Sequence, residues 1–327
     1  MGCVMIFEKI RTVPGSEELL NKAFRRGSRA KSGKISYNTK REAEESMIMT
    51  AGNILSDNLA NVVRSFPSFD TIPLFYRELA DLLVGVDDLR VSLSKVEWAS
   101  RKVREIARMH ALRIRRREDP KLVRKAAVGR MSSVVNRVSN DLDLLKNARN
   151  VLRKLPDIRD EPTIVVAGYP NVGKSSFVKL VSSANPEIAS YPFTTKGLAV
   201  GHFTRKDRRY QLVDTPGLLD RPLGERSRIE RQAILALDHI ADVILFILDP
   251  SETCGYVMQD QENLLSEIEN TLNAPVIVVY NKKDLFQDDH GLSISTLTGE
   301  NIDTVVDLLI AQVEEDTLLR RSLSGAA

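Results

Sequence analysis

The chain has little that would tie it to an oxidising compartment or a lipid bilayer. Its 327 residues include two cysteines, Cys3 and Cys254, too far apart in sequence for a metal-ligand or redox spacing. A reducing compartment follows most simply. The longest apolar run, Val243–Leu248, is six residues, whereas a helix needs about 20 to cross a bilayer. Glu8, Lys9 and Arg11 break up any apolar stretch of a secretory leader. A cytoplasmic location with no membrane partner is therefore expected. No internal repeat is visible, and residues 41–155 lack convincing strand alternation. With 43% apolar and 28% charged residues the composition is that of an ordinary globular protein. The length suits two domains of about 100–200 residues each.

Acidic charge is scarce in the first half. Residues 1–160 hold 32 Lys and Arg against 20 Asp and Glu, and residues 161–327 hold 15 against 24. The net charge of +3 therefore conceals a basic half at +12 and an acidic half at −9, which suggests two domains with different partners. The excess is concentrated in 101–154, with 17 basic against 5 acidic residues. Arg101, Lys102, Arg104, Arg108, Arg113, Arg115, Arg116 and Arg117 lie on or beside one helix, and Lys121, Arg124, Lys125 and Arg130 follow. A solvated helix face usually mixes signs, and up to residue 130 only Glu105, Glu118 and Asp119 oppose the run. Contact with RNA phosphates explains this better than solvation. His110 reads as a partly buried structural residue, and Trp98, Met47 and Met49 read as core.

The first half reads as helical. Residues 1–40 suggest a short helix followed by a mobile basic loop. From Arg41, the residues Ile48, Ala51, Leu55, Leu59, Val62 and Phe66 recur at three- and four-residue spacing, one apolar face of a helix. Pro67 ends that segment, and another restarts beyond Pro73. A third follows Asp87-Asp88 and carries Leu89, Leu93, Val96, Val103, Ala107 and Ile114. A fourth, 121–155, follows Pro120 with Val135, Val138, Leu142, Leu145 and Leu152 as its stripe. Short connections suggest an antiparallel bundle over 1–160.

After the proline-bounded linker 156–162 the pattern changes. Short β-branched runs alternate with helices, which signals a parallel α/β sheet over 161–327. Thr163–Ala167 is the first strand, and 198–203 and 209–213 form a pair around a basic turn. Val243–Leu248 and Val276–Tyr280 read as strands covered on both faces. A short strand is expected at 292–294, helices near 176–183, 226–240, 259–272 and 300–315, and a frayed tail from 320.

The chemistry is concentrated in the loops of this half. Gly168-Tyr169-Pro170-Asn171-Val172-Gly173-Lys174-Ser175-Ser176 fits G-x-x-x-x-G-K-[ST] between a strand and a helix. Backbone N–H groups must wrap a phosphate chain there, so glycines stand where a Cβ would block it, and the helix N-terminus adds positive charge. Asn171, Val172, Gly173 and Ser176 belong to this cradle. Lys174 is placed for the β- and γ-phosphates and Ser175 for Mg²⁺. Pro192-Phe193-Thr194-Thr195 can close over the metal and γ-phosphate. In Asp214-Thr215-Pro216-Gly217, Asp214 would hold Mg²⁺ and the Gly217 N–H would meet the γ-phosphate. Asn281-Lys282-Lys283-Asp284 supplies a carboxylate for guanine N1–H and the 2-amino group. Adenine would leave a buried Asp284 unpaired. Ser295-Thr296-Leu297 could contact guanine O6 through its backbone.

Together these loops resemble a translation-factor-type GTPase of the Obg group, marked by Tyr191-Pro192-Phe193-Thr194-Thr195 and by the phosphate loop. The whole chain, helical part included, resembles the nucleolar GTP-binding protein 1 family in an archaeal-like short form. The resemblance implies a Ras-like α/β P-loop GTPase domain preceded by an all-α bundle. It implies GTP and GDP as ligands and a role in assembling the large ribosomal subunit. The partners would be large-subunit rRNA and the pre-ribosomal particle, with ribosomal proteins or an activating factor in addition. By the same resemblance Thr195, rather than Thr194, is the Mg²⁺ ligand. Lys174, Thr195 and Gly217 would then serve direct attack of water on GTP. Asn171 stands where related enzymes bind K⁺, although a turn-stabilising asparagine explains it equally well. Where many GTPases carry a water-orienting glutamine, this chain has Leu218, so intrinsic hydrolysis should be slow. Eukaryotic members carry a long C-terminal extension beyond the GTPase domain, and its contacts are not carried over. Two other readings stay open: translation or stress signalling through protein partners, and an RNA clamp in which nucleotide is structural.

Overall fold

The computed structural model describes residues 6–32, 40–116, 118–158, 161–189, 191, 197–286 and 291–324. Thr194 and Thr195, and Arg117 of the basic run, lie outside the described residues. The chain packs as two compact units. One contains the described residues up to Ile72 together with Leu83–Arg153, and the other contains Pro73–Leu82 and Lys154–Ala327. No helix among the described residues is long and apolar enough to cross a membrane.

The first unit is helical: α1 (Ser16–Ser32), α2 (Lys40–Ser65), α4 (Val86–Arg115), α5 (Pro120–Arg137) and α6 (Ser139–Leu152). The stripes on α2 and α4 face inward, with Ile48, Leu55, Leu59, Leu89, Val96 and Val103 fully buried. Small residues set how closely the helices approach. A Cβ on Gly52 would lie 2.3 Å from the Ala107 Cβ, and one on Gly27 would lie 2.9 Å from the Met47 carbonyl. Gly27 therefore serves packing, and α1 runs through it for 17 residues instead of ending in a loop. The segment expected over 121–155 is two helices, broken at Val138, whose N–H turns back to Val135 O. The break lets Asp141 accept from Ser92 and Lys95 of α4. Asp119 caps α5 through the N–H groups of Lys121 and Leu122, with Pro120 at the first helical position.

Helix α3 (Leu74–Val84) starts in the sequence's basic half, yet Pro73–Leu82 packs with the second unit. Two aromatics explain this. The Tyr76 hydroxyl donates to Pro156 O and accepts from the Ile158 N–H, and Phe75 stacks on Tyr191 at 6.3 Å.

The second unit is built on a six-stranded sheet in the order β2-β3-β4-β1-β5-β6. Its strands are β1 (Thr163–Ala167), β2 (Glu187–Ala189), β3 (Leu198–Arg205), β4 (Arg208–Asp214), β5 (Val243–Leu248) and β6 (Val276–Tyr280). β2 was not legible in advance. β3 and β4 extend further than their apolar cores and are joined through Lys206 and Asp207, both at positive φ, which suits a two-residue hairpin turn. β1 and β5 are wholly buried, whereas β6 is half-buried because it closes the sheet edge. The expected strand at 292–294 is reduced to a bridge between Tyr280 and Ser293. Helices α7 (Lys174–Val181), α8 (Arg228–Asp238), α9 (Met258–Thr271) and α10 (Ile302–Ser324) complete the unit. α10 continues helical past 320.

Register places the functional loops side by side. Val166 on β1 faces Asp214 on β4, and Leu248 on β5 faces Tyr280 on β6. The loops that follow β1, β4, β5 and β6 therefore emerge at one end of the sheet, where an open α/β sheet binds its ligand.

Candidate nucleotide-binding site

The phosphate loop leaves β1 at Gly168 (φ 132°) and enters α7 through Gly173 (φ 110°). A Cβ on Gly168 would meet Ile247 O at 2.4 Å, and one on Gly173 would meet Asn281 Nδ2 at 2.1 Å. Both glycines are thus fixed by their neighbours as well as by their torsions. Asn171 has φ 63°, a conformation that asparagine tolerates, so the turn alone explains that residue type. Lys174, buried, donates to the carbonyls of Gly168 and Tyr169, each at 2.7 Å. The loop curls around its ammonium group.

Asp214 at the end of β4 is 1% exposed and accepts from the Ser175 hydroxyl at 2.5 Å. Burial pushes its carboxyl pKa up, against the Ser175 hydrogen bond and the Lys174 charge. Its Oδ1 is buried with no hydrogen-bond partner among the described residues. A buried carboxylate oxygen without a donor, beside a hydroxyl, is a hard oxygen donor set, and it fits Mg²⁺. No group of three His, Cys, Asp or Glu side chains suited to a metal occurs among the described residues. Mg²⁺ takes few protein ligands and completes its shell with water and phosphate. Asn171, Gly173, Lys174, Ser175, Ser176, Pro216, Gly217 and Asp220 line one cavity of about 470 Å³.

The Gly217 N–H does not point to open space. It donates to Asp220 Oδ2 at 2.7 Å, and the Gly217 carbonyl accepts from Arg226 Nη1 at 2.9 Å. Leu218 is 2% exposed, so its side chain is turned away from solvent as well as chemically unable to polarise water. The Gly168 N–H donates to Leu219 O and ties the phosphate loop to this segment.

At the other end, Asn281 is buried and links three loops. Its Nδ2 donates to Val172 O at 2.7 Å and Thr296 Oγ1 at 3.0 Å, and its Oδ1 accepts from the Thr296 N–H. Asp284 accepts from the buried Ser295 hydroxyl at 2.5 Å. Asp284 is exposed, not buried, so any burial of its carboxylate must come from a ligand. Lys282 commits its ammonium to Asp249 (2.6 Å) and Thr253, leaving its aliphatic stem for a nucleotide.

Asp249 escaped the sequence reading. It is fully buried at the end of β5, and its carboxylate also accepts from the Ser251 and Cys254 N–H groups. Burial alone would raise its pKa, but Lys282, Ser251 and Cys254 together hold it below the usual range. An acidic residue directly after a six-residue apolar strand was the available signal. Asp220 and Arg226 were missed too, and their opposite charges six residues apart were the trace they left.

The sheet order, the strand–loop–helix bearing Lys174 and the neighbouring loops define a P-loop GTPase domain of the Ras-like type. The comparisons with known proteins agree and go further. The NOG1 N-terminal helical domain matches residues 7–159, and the nucleolar GTP-binding protein 1 (NOG1) model matches residues 228–284. An uncharacterized protein of Methanocaldococcus jannaschii is 42% identical over 86% of this chain and 82% of its own length. Nucleolar GTP-binding protein 1 of Encephalitozoon cuniculi is 34% identical over 84% of this chain and 56% of its own. The Drosophila melanogaster protein of that name is 36% identical over 80% of this chain and 39% of its own. A Plasmodium falciparum crystal structure, a candidate protein of that name, is 38% identical over 53% of this chain and 96% of its own, with a TM-score of 0.48. The chain belongs to the nucleolar GTP-binding protein 1 family, a family of GTP-binding proteins, and spans roughly two fifths to just over half of those two eukaryotic relatives.

The basic helices divide by what they touch. Arg104 pairs with Asp57, Arg113 with Glu118, Arg115 with Glu45, and Arg124 with the buried Glu44, which also holds Lys31. Lys102 pairs with Glu105. Arg101, Arg108, Arg116, Lys121, Lys125 and Arg130 are exposed and have no ion-pair partner among the described residues. Trp98 is 37% exposed and lies under Arg137, so it is not a core residue. His110 is fully buried, with Nδ1 on Ile106 O at 2.8 Å.

Proposed function

We propose that this protein is a cytoplasmic, Mg²⁺-dependent GTPase that uses its basic helical unit to bind large-subunit rRNA and acts as a switch in assembling that subunit. Ser175, Asp214 and Thr195 would hold Mg²⁺, which when bound neutralises charge on the β- and γ-phosphates. Lys174 would exchange its two carbonyl partners for phosphate oxygens. Asp284, aligned by Ser295, would accept from guanine. Asn281 would fix the phosphate loop against the base-binding loops. Water attacks the γ-phosphorus directly, the bond to the β,γ-bridging oxygen breaks, and GDP and phosphate leave. With Leu218 buried, that segment offers no polar side chain at the usual position, so turnover by the protein alone should be slow. Asn171 lines the cavity, and replacing K⁺ by Na⁺ would show whether a monovalent ion contributes.

The observation that carries the RNA reading is the set of six exposed cations between Arg101 and Arg130, on or beside α4 and α5, that have no ion-pair partner among the described residues. Arg104 and Arg124, by contrast, are paired with Asp57 and Glu44. Phosphate contact makes affinity fall with salt by about 0.7–0.9 in log–log slope per neutralised phosphate. Replacing Arg108, Arg116, Lys121 and Lys125 by alanine should weaken binding to large-subunit RNA and flatten that slope, with helicity retained. An unchanged slope would make these residues a solvated face. Co-sedimentation with precursor rather than mature large subunits tests the assembly role.

A further inference from the structure

The segment after β4 contains a carboxylate that no part of the nucleotide chemistry requires. Asp220 stands three residues beyond Gly217 and lines the same cavity as Lys174 and Ser175. Its Oδ2 accepts the Gly217 N–H at 2.7 Å, and its Oδ1 accepts from Arg226 Nη2 at 3.3 Å. Arg226 in turn donates to the Gly217 carbonyl. The two side chains thus grip both polar groups of one glycine. Arg226 is almost wholly buried, with its side chain 1% exposed and its Nε without a partner among the described residues. A guanidinium in that position is stable only with a paired anion, and Asp220 is the carboxylate it touches.

We propose that Asp220, anchored by Arg226, is a built-in competitor of the γ-phosphate for the Gly217 N–H, so that it lowers affinity for GTP without lowering affinity for GDP. The inference rests on the reading of this cavity as a guanine-nucleotide site. A γ-phosphate and a carboxylate are both anionic acceptors, and one N–H cannot bond both at full strength. Placed side by side they would also repel. GDP has no group at that position and leaves the Asp220 contact intact. Gly217 sits at φ 82° with open space around its Cβ position, so the peptide can turn from one acceptor to the other. A ligand shifts a two-state element only by its differential affinity for the two states, and here the difference is the γ-phosphate alone. Arg226 acts through Asp220 and is a positioning residue. With Leu218 buried, this pair gives the segment a means of sensing the triphosphate that does not depend on a glutamine.

The test measures the affinities of the full chain for GDP and for a non-hydrolysable GTP analogue in Mg²⁺, for wild type, Asp220→Ala, Asp220→Asn and Arg226→Lys. A hydrogen bond to a charged acceptor corresponds to roughly tenfold in affinity. Asp220→Ala should therefore tighten the analogue by roughly that factor, with GDP moving less than about twofold. Asp220→Asn keeps the shape but loses the charge, and should shift the analogue-to-GDP ratio the same way by less. It also serves if the alanine variant does not fold. Arg226→Lys, by loosening Asp220, should move the ratio in the same direction again. An unchanged ratio in both Asp220 variants, or an equal change for both nucleotides, overturns the competition and makes Asp220 an ordinary turn contact. Binding of neither nucleotide by the wild type overturns the nucleotide reading and the competition with it.

Discussion

Asp284 and His110 show how one side chain's surroundings set a measurable property. The Asp284 carboxylate is exposed, and the Ser295 hydroxyl fixes it from one side. A base that presents two donors satisfies it, and one that presents an acceptor does not. Asp284→Asn should cut GTP affinity by about tenfold or more and raise affinity for xanthosine triphosphate, whose 2-oxo group accepts from an amide. Direct titration of both nucleotides checks this, and an unchanged preference would remove Asp284 from the base. His110 makes the opposite case, a titratable group with no access to water. Burial lowers its pKa, Arg130 and Arg113 lower it further, and the Ile106 carbonyl and Glu118 partly oppose them. The unfolded chain therefore takes up a proton near pH 6.5 before the folded one does. Stability from this group is complete above that pH and is lost as pH falls below it toward the depressed folded pKa. Thermal melts of wild type and His110→Gln between pH 7.5 and 5 should show a smaller acid loss in the variant. Parallel curves would assign the acid sensitivity to other groups.

At the scale of elements, the closeness of α2 and α4 depends on the absence of a side chain at residue 52. Gly52→Ala would place its methyl carbon 2.3 Å from the Ala107 Cβ, far inside van der Waals contact, unless the helices separate. Overpacking of this kind costs about 1–3 kcal/mol, and with contact this close the cost outweighs the gain of about 1 kcal/mol from alanine's better helix propensity. A lower urea midpoint at unchanged slope is the expected result, and a wild-type midpoint would mean that the helices yield freely. The stripes that bring α2 and α4 together were legible because apolar residues recur at three and four. The break at Val138 was not, since neither glycine nor proline marks it and the gain comes from Asp141 reaching α4. Likewise α3 carries an ordinary amphipathic pattern, and nothing local says that Phe75 and Tyr76 pack with the second unit. In the candidate site the loops after β1, β4 and β6 were legible because each follows a strand and contains a motif. Asp220, Arg226 and Asp249 were not, because their roles arise only when the folded chain returns them to Gly217 and Lys282. Asp284 was expected to be buried and is exposed, so any burial of its carboxylate has to come from a ligand.

At the scale of the whole molecule, the question is how a helical unit could respond to the nucleotide. Tyr191 immediately precedes the expected first switch loop. Its hydroxyl donates to Ala233 O of α8, and its ring stacks on Phe75 of α3. Helix α3 is covalently continuous with α2 and α4, the two long helices of the other unit. Any ordering of the switch loop by γ-phosphate and Mg²⁺ would thus be felt at a residue packed on a segment whose flanks belong to the basic helical unit. Binding to the large-subunit precursor should then be tighter with a GTP analogue than with GDP by a coupling of about 1–3 kcal/mol. Thr195→Ala should shrink that difference by removing the hydroxyl proposed above to hold Mg²⁺. Phe75→Ala should shrink it too while the isolated protein still binds both nucleotides, because Phe75 lies outside the phosphate loop and the base-binding loops. Lys174→Ala should instead weaken both nucleotides. Particle affinities in the two nucleotide states, for wild type and these variants, decide the matter. Equal wild-type affinities would sink the switch and leave an RNA clamp, whereas a difference that survives Phe75→Ala would send the coupling by a route other than α3.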